Sequence, residues 1–256
     1  MTNTPSPGGE LTSFPAPIHA VLIGATGGLG AAFHRHLVAA PHVALVSAFA
    51  RAPEAVARLP KTNAYPIDLL KEETIAAAAH ALKDEAPPRL VLVATGILHQ
   101  GEAVQPEKTW RRLAPEALSS VYAINTIGPS LLAKHFLGLM PNEGKTVFAA
   151  LSARVGSISD NRIGGWHAYR ASKAALNMML RCLAIERARK SGQALVIGLH
   201  PGTVDTGLSQ PFQRAVPDGK LFTADRSAGD MLRVIDGLGP DATGRVFAYD
   251  GSEIPA

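Results

Sequence analysis

The stretch that decides the fold is His19-Ala20-Val21-Leu22-Ile23-Gly24-Ala25-Thr26-Gly27-Gly28-Leu29-Gly30. Five residues from His19 to Ile23 read as a buried strand, and Ala31 to Ala40 reads as a helix. Glycines between a strand and a helix permit a tight turn and let backbone amides approach an anion. The helix N-terminus then faces that anion. This context favours a dinucleotide pyrophosphate over an ordinary glycine-rich turn.

Downstream, strand and helix patterns alternate. Val43 to Ala48, Asn63 to Ile67, Leu90 to Val93, Thr146 to Leu151, Val196 to Leu199 and Arg245 to Tyr249 read as strands, most of them apolar on both faces. Lys71 to Lys83, a segment opened by Pro115, Tyr169 to about Lys190, and Asp225 to Leu238 read as helices. Such alternation implies an α/β, doubly wound parallel sheet in a single domain over residues 18–256. Residues 1–17, rich in Pro, Gly, Ser and Thr, read as a flexible N-terminal tail. Gly207 to Thr223 carries little periodicity and reads as a loop or lid.

Bulk properties narrow the function classes. Of 256 residues, 46% are hydrophobic and 18% charged, enough apolar material for a sizeable core. A formal net charge of +4 without Lys/Arg runs argues against a nucleic-acid partner. No apolar run suits a membrane span and no leader pattern opens the chain, so a cytoplasmic protein is expected. Cys182 is the single cysteine; inside an apolar helical run it is expected to be a buried thiol. No metal site is expected.

Several residues carry chemistry. Tyr169 and Lys173 stand four apart on a helix and share one face. An ammonium beside a phenol stabilises phenolate, which makes the phenol a better acid. The second strand is followed by Ala48-Phe49-Ala50-Arg51-Ala52-Pro53, with no acid before Glu54. An acid there would hold the ribose hydroxyls of NAD, whereas Arg51 suits a ribose 2′-phosphate, so NADP(H) is expected over NAD(H). Asp68, just past the third strand, suits either an adenine amino group or the cap of the next helix, and capping is the expectation from physics alone. Pro129 lies inside a helical pattern and cannot donate to the carbonyl of Asn125, which is either freed to hold a water near Lys173 or merely marks a kink.

With these residues in place, the chain resembles the short-chain dehydrogenase/reductase family in its single-domain, Rossmann-fold branch. The glycine spacing Gly24-x-x-x-Gly28-x-Gly30 matches that branch. Asn125, Ser152, Tyr169 and Lys173 fall in order at the family's four catalytic positions, and Pro201-Gly202-Thr203-Val204-Asp205-Thr206 matches its nicotinamide-side motif. The resemblance implies cofactor contacts from Gly24, Thr26, Gly28, Leu29 and Gly30 in the turn, and from Arg51, Asp68 and Leu69 at the adenosine end. It implies further contacts from Ala94, Gly96, Tyr169, Lys173, Pro201, Val204 and Thr206 around the nicotinamide.

Two departures stand out. Val93-Ala94-Thr95-Gly96 replaces the family's usual Asn-Asn-Ala-Gly, and the gap from Ser152 to Tyr169 is 17 residues, a little longer than usual. The gap loop, Trp166-His167-Ala168-Tyr169-Arg170 and the tail from Tyr249 to Pro255 resemble the C-factor-like subgroup, which is named for a bacterial developmental signalling protein.

The implied activity is NADPH-linked reduction of a ketone or aldehyde, or the reverse alcohol oxidation, with Tyr169 as acid/base, Lys173 supplying charge and holding the nicotinamide ribose, and Ser152 bonding the carbonyl oxygen. The alternatives are an NADPH-binding signalling protein with little turnover, and a redox-neutral isomerase or dehydratase. The resemblance also implies pairing into a homodimer or homotetramer through the helices carrying Asn125 and Tyr169.

Overall fold

The structure, a computed structural model, describes residues 9–217 and 219–256. The chain runs through β1 (Ile18–Ile23), α1 (Gly28–Ala39), β2 (Val43–Ala50), β3 (Thr62–Pro66), α2 (Glu72–Ala81) and β4 (Leu90–Val93). It continues with α3 (Pro115–Tyr122), α4 (Gly128–Phe136), β5 (Thr146–Leu151), α5 (His167–Ala188) and β6 (Ala194–His200). Last come β7 (Thr203–Val204), β8 (Leu221–Phe222), α6 (Ala224–Gly237), β9 (Val246–Ala248) and β10 (Glu253–Ile254).

The main sheet has the order β10-β9-β6-β5-β4-β1-β2-β3. Its pairs are parallel from β3 across to β9, and β10 is antiparallel to β9. The order reverses at β1, which pairs with β2 on one side and β4 on the other. Connections diverge from that point, so a crevice opens beyond the C-terminal strand ends.

The inner strands are apolar because helices cover both faces. Leu22, Phe33, Leu37, Met231, Leu232 and Ile235 form the core beneath α1 and α6. Phe49, Ile75, Phe136, Phe148, Leu176 and Leu180 form the core beneath α2, α4 and α5. Phe49 alone stacks on Tyr65 at 5.2 Å and meets the edge of Phe136 at 5.9 Å. Each fully buried side chain of this size contributes about 1.5–3 kcal/mol, which fixes the strands that carry the site.

The structure corrects three expectations. The expected tail is in part structured: residues 1–8 lie outside the described residues, but Leu11 and Phe14 are buried in the core. Ser13 donates from its backbone N–H and its hydroxyl to Asp236, at 2.9 and 2.6 Å. Lys145 then donates to Ser13 Oγ and to the carbonyls of Ile235, Asp236 and Leu238, each at 2.8 Å, closing the C-terminal end of α6. Composition hid two apolar anchors among polar neighbours.

Cys182 is exposed. The buried stripe of α5 is Leu176, Leu180 and Ala184, while Met178, Met179 and Ile185 are exposed, so the helix is apolar on more than its core face. Finally, Asp68 does not cap α2, whose N-cap is Lys71 without a side-chain bond. Its carboxylate accepts from the Leu70 N–H at 3.0 Å, a local turn that competes with capping.

At Pro129 the helical pattern breaks into a π-helical turn, Ala123–Ile127, in which the Gly128 N–H reaches back to Ala123. The lid region also carries structure: β8 pairs in parallel with β7, and Gln210–Ala215 forms a short 3-10 helix.

Candidate active site

Four strand ends and one long helix build the site. The first is β1, whose exit is locked when Gly24 and Ala25 donate to Phe49 O at 2.8 and 3.1 Å. Gly24 has φ +88°, a left-handed conformation that suits glycine, and a Cβ on Gly30 would collide with the Gly24 carbonyl. The turn delivers the start of α1, which has no side-chain cap and no acid in its first turn. An anion there would meet only amides and the positive helix end.

On α5, Tyr169, Lys173 and Asn177 are spaced by four and share a face. The helix start is held by Glu107, which is buried. Its backbone carbonyl accepts from Trp166 N–H at 2.6 Å, and its carboxylate accepts from Ala168 N–H at 3.2 Å. Trp166 itself adopts φ 49°, ψ 44°. This places its ring 6.4 Å from that of Tyr169 and 5.2 Å from Phe212 of the lid.

Lys173 Nζ lies 5.8 Å from the Tyr169 ring centre and donates to Leu151 O at 2.8 Å. Ser152 follows at the end of β5. Its backbone N–H is tied to Leu199 O at 2.7 Å, and its Oγ donates to Asn177 Oδ1 at 2.6 Å.

Asn125, fully buried, clasps the backbone of Ile97 with both amide atoms, accepting at 2.8 Å and donating at 2.9 Å. It also donates to Ser172 Oγ at 3.1 Å. Asn125 thereby ties the β4 exit to α5. A Cβ on Gly96 would lie 3.4 Å from Asn125 Oδ1 and 3.5 Å from Lys173 Nζ, so glycine brings that backbone close to both.

Burial sets the ionisation of the pair. It pushes the Tyr169 hydroxyl up to about 12 and pulls the Lys173 ammonium down to about 7. The expected direction, a phenol made acidic by its neighbour, is opposed here because both groups are buried and the charged forms lose hydration. At neutral pH Tyr169 is therefore a protonated phenol. His200 is also pulled down, to about 4, by burial first and the positive Arg154 second. It is a neutral imidazole, and its Nδ1 is buried without a partner among the described residues.

A cleft of about 530 Å³ runs from the glycine turn to the lid. Of the residues expected from sequence, Gly28, Leu29, Ala94, Gly96, Ser152, Tyr169, Lys173, Pro201, Val204 and Thr206 line it. Gly24, Thr26 and Gly30 do not; Gly24 and Gly30 shape the turn from beneath. Asn125 stands behind Gly96, and Arg51, Asp68 and Leu69 lie outside this cleft, at the β2 and β3 ends. Arg51 is exposed directly after β2 and makes no ion pair among the described residues.

Glu107, Asn177, His200 and Thr95 were not singled out from sequence. Thr95 Oγ1 is buried at the cleft without a hydrogen-bond partner among the described residues. Only Asn177 left a legible trace, the same i, i+4 spacing that links Tyr169 to Lys173.

The residues present fit a nicotinamide dinucleotide. A Cβ on Gly28 would come within 2.7 Å of Thr206 Cγ2, so glycine keeps open the space between the turn and the Val204–Thr206 segment. The uncapped helix end and the orphaned Thr95 hydroxyl are polar groups awaiting a partner. No groups of three or more metal-ligating side chains occur among the described residues. Nor, among them, is any helix long and apolar enough to cross a membrane.

Comparison with known proteins agrees with this geometry. C-signal of Myxococcus xanthus is 38% identical over 138 residues, 54% of this chain and 78% of that protein. An uncharacterized oxidoreductase of Schizosaccharomyces pombe is 28% identical over 230 residues, 82% of this chain and 87% of that one. The structure of an NADPH-bound carbonyl reductase from chicken fatty liver superposes with a TM-score of 0.81 at 25% identity, covering 96% of this chain and 97% of the other. The family described as short chain dehydrogenase matches residues 18–216. With that match spanning the glycine turn, α5 and the strands from β1 to β7, the chain belongs to the short-chain dehydrogenase/reductase family.

Proposed function

We propose that the protein is an NADPH-dependent carbonyl reductase acting on a small, largely apolar ketone or aldehyde. The observation that carries the reading is the convergence of Ser152, Tyr169 and Lys173 on one cleft that begins at the glycine turn. Bound there, the nicotinamide supplies the hydride.

The chain's own residues do the rest. Tyr169, kept protonated by its burial, gives its proton to the oxygen that becomes the alcohol. Lys173 holds the nicotinamide ribose and lends positive charge beside the phenol. Ser152 bonds the carbonyl oxygen as charge develops. Asn125, by its hold on the Ile97 backbone, keeps the β4 exit against α5 and anchors a water that relays protons to Lys173.

Leu98, Val155, Trp166, Leu208 and Phe212 line the outer cleft, which suits an uncharged, apolar substrate. His99 bonds the Gly207 carbonyl at 3.1 Å and packs on Phe212 at 5.8 Å, so two loops close over that end. Arg51 takes the 2′-phosphate, and Asp68 with Leu69 flanks the adenine. The exposed apolar residues Ile127, Met178, Met179 and Ile185 support self-association through the Ala123–Ile127 turn and α5.

The test is titration of NADPH and NADH into the wild type and Arg51→Ala, followed by intrinsic fluorescence. Wild type should prefer NADPH, and Arg51→Ala should lose roughly tenfold to a hundredfold in NADPH affinity while NADH affinity stays unchanged, because one charged hydrogen-bond set is worth about 1.5–3 kcal/mol. Equal affinities in the wild type would refute the NADP assignment. Similarity to C-signal favours a second reading, a signalling protein that binds NADPH with little turnover. Tight NADPH binding without reduction across a broad carbonyl panel would select it.

A further inference from the structure

We propose that Asn177 is a positioning residue for this site, the group that decides whether Ser152 faces the substrate as a hydrogen-bond donor or as an acceptor; this rests on the carbonyl-reductase reading. Asn177 lies on the face of α5 shared by Tyr169 and Lys173, one turn beyond Lys173. It is half-buried and lies outside the cleft lining, while Ser152 is buried and lines the cleft. It therefore touches Ser152 from behind.

A serine has one O–H to give and two lone pairs to offer. As arranged, Ser152 donates that O–H to Asn177 Oδ1 at 2.6 Å. What it then presents to the cleft is a lone pair, which repels a carbonyl oxygen gaining negative charge. A half-turn of the Asn177 carboxamide exchanges Oδ1 for Nδ2 without moving the backbone. The amide then donates to Ser152 Oγ, and the serine O–H turns into the cleft. Neither amide atom has another hydrogen-bond partner among the described residues, so nothing else holds the amide in one orientation. Asn177 serves Ser152 in both states, and the substrate oxygen selects the donating one.

Asn177→Asp separates this role from a structural one. A carboxylate keeps the contact but only accepts, so the Ser152 O–H stays turned away. Expected are a kcat loss of about a hundredfold, comparable to removing one donor to the developing oxyanion, an unchanged melting temperature and unchanged NADPH affinity. In a Ser152→Ala background the Asp substitution should cost no further activity. Wild-type kcat in Asn177→Asp, or an equal loss in the Ser152→Ala background, would overturn the proposal.

A second arm needs no turnover. Asn177→Ala and Ser152→Ala should lower the melting temperature non-additively, because each removes the same bond. The side-chain amide NMR signals of Asn177 should also move on Ser152→Ala. Additive losses with unmoved amide signals would overturn the pairing. Non-additive losses in a protein that reduces no carbonyl would leave the pairing standing and refute the proposed function instead.

Discussion

Lys173→Met should stabilise the fold while destroying the site. Lys173 is 2% exposed, and burial lowers its ammonium from 10.5 to about 7. The unfolded chain takes up this proton below pH 10.5, but the folded chain does so only near 7. Stability on account of this group is therefore highest above pH 10.5 and falls as pH drops toward 7. At 1.36 kcal/mol per pH unit, the penalty carried at pH 7 is about 4 kcal/mol.

Methionine removes that penalty and fills similar volume, but it leaves the Leu151 carbonyl without its 2.8 Å partner, at a cost of about 1–3 kcal/mol. The net gain is about 1–3 kcal/mol at pH 7, which raises the melting temperature by roughly 5 °C in a domain of this size. At pH 9.5 the ionisation penalty shrinks to about 1 kcal/mol, and the variant should lose its advantage. Thermal melts of the cofactor-free protein at both pH values measure this directly. A variant less stable than wild type at pH 7, or an advantage that grows with pH, would refute the reasoning. The expected result would mark Lys173 as held for function against stability.

Lys145→Met should nevertheless lower the melting temperature, because it strips four acceptors, three of them carbonyls at the end of α6, at about 1–3 kcal/mol each, and together these outweigh the roughly 3 kcal/mol that burial of an ammonium held down to about 8 costs at pH 7. Circular dichroism melts decide it, and a loss no larger than that of an exposed lysine contradicts it. His200 stays neutral in the folded chain, so its stabilisation is complete above pH 6.5 and is lost as pH falls toward 4, by up to about 3 kcal/mol. Denaturant melts at pH 7 and pH 4.5 should show a smaller acid loss in His200→Gln than in wild type; equal losses contradict the assignment. Glu107→Ala frees the Ala168 N–H and removes the side-chain clamp on the α5 start, so kcat should fall about tenfold or more with NADPH affinity nearly kept, since a small misplacement of Tyr169 is amplified in rate. Unchanged kcat would contradict it.

The sheet was legible because its signals are local: His19–Ile23 and Leu90–Val93 are apolar runs bounded by glycine or polar turns. That Tyr169, Lys173 and Ser152 share one cleft was legible through spacing and order. What escaped depends on three-dimensional neighbours. Leu11 and Phe14 are ordinary in sequence and gain meaning only against α6 and Lys145. Glu107 sits in an aperiodic loop, and its role is fixed by the Trp166 and Ala168 amides some sixty residues away. Asp68 was assigned a helix cap because a strand-end acid often is one; its carboxylate instead closes a two-residue turn. Burial of the Tyr169–Lys173 pair reverses a pKa argument that spacing alone made persuasive. The strands β7, β8 and β10 are too short for periodicity to register.

The central claim is that Tyr169 is the proton donor in NADPH-linked carbonyl reduction. The most direct measurement is NADPH oxidation coupled to alcohol formation, followed on wild type and Tyr169→Phe across a ketone and aldehyde panel, with NADPH affinity measured on the same preparations. The account predicts turnover by wild type, a loss of about 10²–10⁴-fold in Tyr169→Phe and nearly unchanged NADPH affinity. Retained turnover in Tyr169→Phe, or NADPH affinity lost together with turnover, would contradict it.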